Sequence, residues 1–123
     1  SLITGGVIER HPKLRIGFVE AASEWVPFAV HRCKKMLMHY GLRDNFDSIF
    51  AENRFYVTCE ADEDVARIAK VTGPDNLLVG TDYGHADTST ELDAPGILLR
   101  RTDLDSGLTQ KIVSENAKRF YAI

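Results

Sequence analysis

The chain has 123 residues, with 15 Lys+Arg against 18 Asp+Glu for a net charge of −3, 44% hydrophobic residues, 9 Gly and 4 Pro. That length predicts one domain with a core of ordinary size, and the composition, typical of soluble globular proteins, excludes disorder, collagen-like repeats and coiled coil. No stretch approaches the roughly 18–20 uncharged apolar residues of a membrane span, no signal-peptide pattern opens the chain, and the scattered charges leave no footprint for nucleic acid.

The expected location is therefore the cytoplasm. The basic clusters Arg32-Cys33-Lys34-Lys35 and Arg100-Arg101 are expected to be solvated helix faces. Cys33 and Cys59 have no CxxC spacing, which argues against a disulfide or zinc knuckle and for two buried or half-buried thiols.

In chain order, Leu2, Ile3, Val7 and Ile8 recur at helical spacing before His11-Pro12, so residues 1–10 are expected to be the tail of a helix. Lys13 to Glu20 alternates Leu14, Ile16 and Phe18 with Lys13, Arg15 and Gly17, which predicts a short strand ending in an acid. Ser23 is placed to cap a helix running from Glu24 to Tyr40, with Pro27 in its first turn and Gly41 after it. From Leu42 to Arg54, Phe46, Ile49 and Phe50 predict a short helical turn under a loop. Phe55 to Glu60 is rich in β-branched and aromatic residues and predicts a second strand, again ending in an acid. Asp62 and Glu63 are expected to open a helix through Val71, near the positive end of its dipole, with Gly73-Pro74 closing it. Asn76 to Gly80 predicts the third strand, followed by Asp82 and a turn-rich loop from Tyr83 to Pro95. Ile97–Arg101 and Leu108–Tyr121 carry the last helical patterns.

Strands spaced by roughly 40 and 20 residues with helices between them are the alternation of a parallel α/β sheet. Three strands are few for a closed architecture, since a full (β/α)₈ barrel takes about 250 residues. In such sheets the functional residues gather where the strands end, and Glu20, Glu60 and Asp82 stand there. Asp82 is either a metal ligand or general base, or an acid that caps its own loop. With His85 and Asp87 it puts three metal-competent side chains within six residues, a donor set suited to zinc or another first-row divalent ion, or else simply a solvated loop. His31 and His39 are expected at the surface and His11 in a connection. Neither a phosphate-binding glycine loop nor a GxSxG elbow is present.

These segments converge on one family. Leu2 to Ala21 resembles the "gGv..rhPkLri.f.ea" segment of the amidohydrolase-related metal-dependent hydrolases, in the branch that includes aminocarboxymuconate semialdehyde decarboxylase. Asn76 to Asp87 resembles the family's "nllfGsDyPH.d", and Ser114 to Tyr121 its "i..eNAarlyg", so nearly the whole chain is covered in order. The resemblance implies an α/β chain that is the C-terminal portion of a TIM barrel, a single partial-barrel domain over 1–123 supplying strands six to eight. Asp82 then matches the aspartate that ligates the metal and takes a proton from the metal-bound water. Glu20 stands where many members carry a histidine in an "HgG" motif and is expected to transfer protons instead. His85, in the "PH" position behind a Gly84 that replaces the usual proline, is expected to contact substrate together with Tyr83 and Trp25.

The family's HxH pair and its strand-five histidine would lie upstream of this chain. A catalytic zinc takes three protein ligands, so the resemblance implies a zinc-like divalent ion in the intact barrel and weak binding or none in this part alone, with little or no activity. The expected enzyme class is a hydrolase or carbon–carbon lyase acting on a small organic acid or aromatic compound. The alternative is a non-catalytic, self-associating half-barrel. Two open sheet edges call for a covering partner, either a second copy or an N-terminal half-barrel. A start inside a helix without an initiator Met is expected of a fragment.

Overall fold

β-Branched and aromatic residues form the three strands where expected, and a computed structural model, which describes residues 2–42, 48–86 and 90–123, shows how the helices cover them. The elements in order are α1 (Val7–Arg10), β1 (Ile16–Phe18), α2 (Val26–His39), α3 (Ile49–Asn53), β2 (Phe55–Cys59), α4 (Val65–Thr72) and β3 (Leu77–Val79). They are followed by α5 (Ala94–Arg100), α6 (Ser106–Gln110), a π-helical turn (Lys111–Glu115) and α7 (Asn116–Tyr121). The strands form one parallel sheet in the order β1-β2-β3, with Gly17 opposite Tyr56 and Thr58 opposite Leu78. Phe46 and Asp87 lie outside the described residues.

Alternation along the strands divides the sheet into two faces. On one, Phe55, Val57, Cys59 and Leu77 are buried in the main core with Val26, Val30, Ile68 and Ile112. Phe18 stacks edge-on against Trp25 and Phe55 at 5.5 and 5.6 Å between ring centres. On the other face, Tyr56 and Leu78 are also buried. Phe120 of α7 reaches this face, its ring 5.0 Å from Tyr56 and so close to Gly17 that a Cβ there would stand 2.9 Å from it. A side chain at position 17 would collide with the ring, which accounts for glycine in the middle of a strand.

Four local expectations are corrected. Residues 2–6 are turns rather than helix, because Gly6 enters α1 at φ 65°, a left-handed conformation that ends any continuous helix. Ser23 does not cap α2; that helix starts at Val26 without a side-chain cap, and the Ser23 hydroxyl is engaged elsewhere. Asp64 rather than Asp62 or Glu63 opens α4, accepting the Arg67 N–H at 3.1 Å. The last helical stretch is not one α-helix, because the wider π turn interrupts it between α6 and α7.

The end of the sheet where the strands start is tied down by polar contacts. Asn116, fully buried just after the π turn, donates to the carbonyls of Pro74 and Leu77 at 2.9 and 2.8 Å. The Arg54 guanidinium donates to the carbonyls of Leu14 and Ile8, holding the N-terminal segment to the start of β2. Asp75 lies 3.0 Å from Lys111 Nζ and 3.1 Å from Arg119 Nη1. Burial acts to raise its carboxyl, but the hydrogen bonds from Lys111 and Arg119 outweigh it and hold the group below the ordinary carboxylate range.

Because this folded carboxyl titrates below its unfolded counterpart, whose value is about 3.9, its stabilisation is present above that pH and is lost as pH falls through the folded value. With nearly half the side chain exposed, Asp75→Asn is expected to cost about 0.5–1 kcal/mol at pH 7. Urea denaturation of both proteins should show that difference closing in the acid range; a difference that persists there would mean the charge is not its source.

Candidate functional site

All three strands end on one side, so the residues following them meet there. Glu20, Ala22, Thr58, Glu60, Gly80 and Asp82 line a narrow cleft of about 10 Å³. A wider cleft of about 260 Å³ beside it is lined in part by Glu60, Asp62, Thr90 and Glu91. Glu20 and Asp82 both adopt left-handed backbone, at φ 57° and 49°. Non-glycine residues seldom do so, and such strain persists only where the surroundings enforce it. The turn after Asp82 is fixed from within: its carbonyl accepts the His85 N–H at 3.2 Å, and the Thr90 hydroxyl lies 3.0 Å from that carbonyl and 2.9 Å from that of His85.

The structure thus brings together Glu20 and Asp82, as the sequence led us to expect, with Glu60 between them. Burial, and then the like charges of Glu63, Asp62 and Asp82, push the Glu60 carboxyl above its ordinary range. His85 leans across the strand ends to within 3.8 Å of the Glu20 carboxylate. Tyr83, next to Asp82 in the chain, is 82% exposed and does not line the cleft. Trp25 is placed elsewhere: its ring packs against Phe18 on the core side of the sheet, its indole N–H donates to the Ala22 carbonyl at 3.1 Å, and it does not line the cleft. Asp87 lies outside the described residues. Among the described residues no three His, Cys, Asp or Glu side chains are grouped so as to hold a metal ion.

Sequence reasoning missed Glu63. Its carboxylate is buried and accepts four hydrogen bonds, at Oε1 from the Ser23 and Glu24 amides (2.7 and 2.9 Å) and at Oε2 from the Ser23 hydroxyl and the Glu60 amide (2.7 and 2.8 Å). Arg101, paired with Asp103 at 2.6 Å, donates to the carbonyls of Ala61 and Glu63 at 3.0 and 2.7 Å. The signal in the sequence was Asp64: a good cap at that position pushes Glu63 out of the helix and frees its side chain to fold back.

Comparison with known proteins supplies the family. The family model described as Amidohydrolase matches residues 1–123. No curated protein matches the chain. Among solved structures it is similar to an amidohydrolase from Mycobacterium avium subsp. paratuberculosis K-10, with 24% identity and a TM-score of 0.76 over 97% of this chain and 31% of that one. It is also similar to 5-carboxyvanillate decarboxylase from Sphingomonas paucimobilis, with 21% identity and a TM-score of 0.69 over 99% of this chain and 38% of that one. The chain therefore spans about a third of the length of these structures. At such identities the likeness establishes the fold, the expected portion of a TIM barrel.

Cys59 borders the cleft but is unsuited to be its nucleophile. Burial, with Glu63 adding to it, pushes its thiol up to about 12, so the reactive thiolate is scarce at neutral pH. Iodoacetamide at pH 8 followed by peptide mass spectrometry should leave Cys59 unmodified in the folded protein and alkylate it after unfolding. Rapid native labelling of Cys59 would contradict this.

Proposed function

The chain belongs to the amidohydrolase family, and on that premise we propose that it supplies the C-terminal part of a metal-dependent hydrolase or decarboxylase acting on a small organic acid or aromatic compound. The observation that carries this reading is Asp82, held in a strained turn at the end of β3 and facing Glu20 and Glu60 across one cleft. The decarboxylase-like branch rests on the sequence motifs.

In this reading Asp82 is the metal ligand and proton acceptor, and Glu20 transfers protons beside it. The exposed His85 and Tyr83 contact substrate at the mouth, where the Glu20–His85 pair can exchange a proton with bulk water. A divalent ion, zinc by the family's chemistry, supplies Lewis acidity when bound. The described residues do not by themselves form that centre, since a catalytic zinc takes three protein ligands and only Asp82 is assigned here. The chain alone is therefore expected to be inactive.

A second reading, a self-associating half-barrel without catalysis, draws on a different observation. Among the described residues β1 and β3 have no strand partner on their outer edges, and unpaired edges recruit other chains. Either a second copy or a polypeptide carrying further strands would satisfy them.

Zinc titration of the purified chain by calorimetry, with its mass in solution measured on the same sample, tests both readings. The expected result is weak binding, with Kd above about 1 μM, that Asp82→Ala weakens by at least about tenfold. Binding indifferent to Asp82→Ala would remove Asp82 from the ligand set. Tight stoichiometric zinc would show that this chain assembles a whole centre by itself. A mass above the monomer is expected from the open edges, and a strictly monomeric chain would count against self-association.

A further inference from the structure

We propose that Glu63 is a positioning residue: its buried carboxylate holds the Glu20–Ala22 turn in its strained conformation and so sets where the Glu20 carboxylate stands relative to Asp82. The proposal rests on taking the strand-end cleft as the site, while the conformation of the turn can be measured without any metal or substrate.

Glu20 and Ala22 both have left-handed backbone, at φ 57° and 50°. Alanine has no side-chain hydrogen bond to offset that conformation, so something outside the turn must impose it. At its far end the Ala22 carbonyl accepts the indole N–H of Trp25. The chain emerging from it is gripped at once, because the next two amides, Ser23 and Glu24, both point at Glu63 Oε1. Oε2 takes the Ser23 hydroxyl and the Glu60 amide, so one carboxylate joins the residues after β1 to those after β2. These four donors are neutral and fill the acceptor capacity of both oxygens. Glu63 is itself anchored, its carbonyl accepting from Arg101 Nη1 at 2.7 Å and from the Val65 N–H at 2.8 Å. Glutamine fits the space but turns an N–H toward N–H donors, and aspartate is one methylene too short to span both loops.

The chain has one tryptophan, and it is bonded to the turn in question, so its emission is a local probe. In Glu63→Gln, acrylamide quenching of Trp25 in the folded baseline is expected to rise, and exchange of the Ser23, Glu24 and Glu60 amides to accelerate by at least about tenfold. The Leu78 amide in β3 serves as the reference that should not change. Asp75→Asn, at the opposite end of the sheet, should lower overall stability and leave the Trp25 and loop readouts where they are. If Glu63→Gln does not fold, Ser23→Ala, which removes one donor of the four, should give a smaller shift in the same direction. Wild-type quenching and exchange in a folded Glu63→Gln, or in Ser23→Ala, would overturn the proposal. So would equal changes in Asp75→Asn, which would make them signs of general loosening. A failed zinc titration would leave these readouts untouched, so the two ideas fall separately.

Discussion

Parallel strand direction is the constraint from which the rest of this molecule follows. Because β1, β2 and β3 run the same way, each must be followed by a return segment, and α2 with α3 and then α4 provide those returns over one face. The same direction brings Glu20, Glu60 and Asp82 to a single edge although 62 positions of sequence separate the first from the last. A parallel sheet also needs both faces covered. The helices cover the Phe55–Val57–Leu77 face, and part of the other falls to Phe120, whose ring lies on Gly17 and Tyr56.

The two ends of the sheet do different work. Where the strands begin, side chains tie segments together: the Asn116 amide nitrogen holds two carbonyls, Asp75 two cations, and Arg54 the N-terminal segment. Where they end, left-handed backbone, crowded carboxylates and exposed side chains accumulate. Those features oppose folding, and they occur on the side where α/β folds carry chemistry. Strain is not confined to that side, since Arg54 before β2 is also left-handed, but at the strand ends it coincides with the gathered carboxylates.

Much of this was legible in the sequence because it rests on local chemistry. Strands are legible to within about three residues, since runs such as Phe55–Cys59 and Leu77–Val79 are aromatic, aliphatic or β-branched almost throughout and give way to Glu60 and Gly80. That Asp82 and Glu20 lie just past strand ends is legible because strand ends can be read once strands are. The errors share a physical origin, which is that a side chain's role was assigned from its own neighbours in sequence. Ser23 looked like a helix cap and Glu63 like a first-turn acid, yet the two bond each other 40 residues apart. Trp25 sits close to a strand end, but its indole packs on Phe18 and turns away from the cleft. Neither the π turn nor the reach of Phe120 onto Gly17 has a local signature, because both are settled by what lies opposite.

The carboxylates at the strand ends pose an electrostatic question that the arrangement of donors answers. Glu20, Glu60, Asp62, Glu63 and Asp82 gather at one edge, where burial first and then the like charges of its neighbours push Glu60 above its ordinary range. Glu63, the buried one, would be the costliest to leave charged, and it is the one whose charge is spread over four N–H and O–H dipoles. Glu20 stays open to water, with His85 at 3.8 Å. Arg101 contributes only indirectly, because its guanidinium is engaged by Asp103 and by two carbonyls beneath the loop. Hydrogen-bond dipoles therefore surround the buried acid, while the exposed one faces solvent. Asp82 is left with its backbone firmly held at its carbonyl and its carboxylate free to face the cleft.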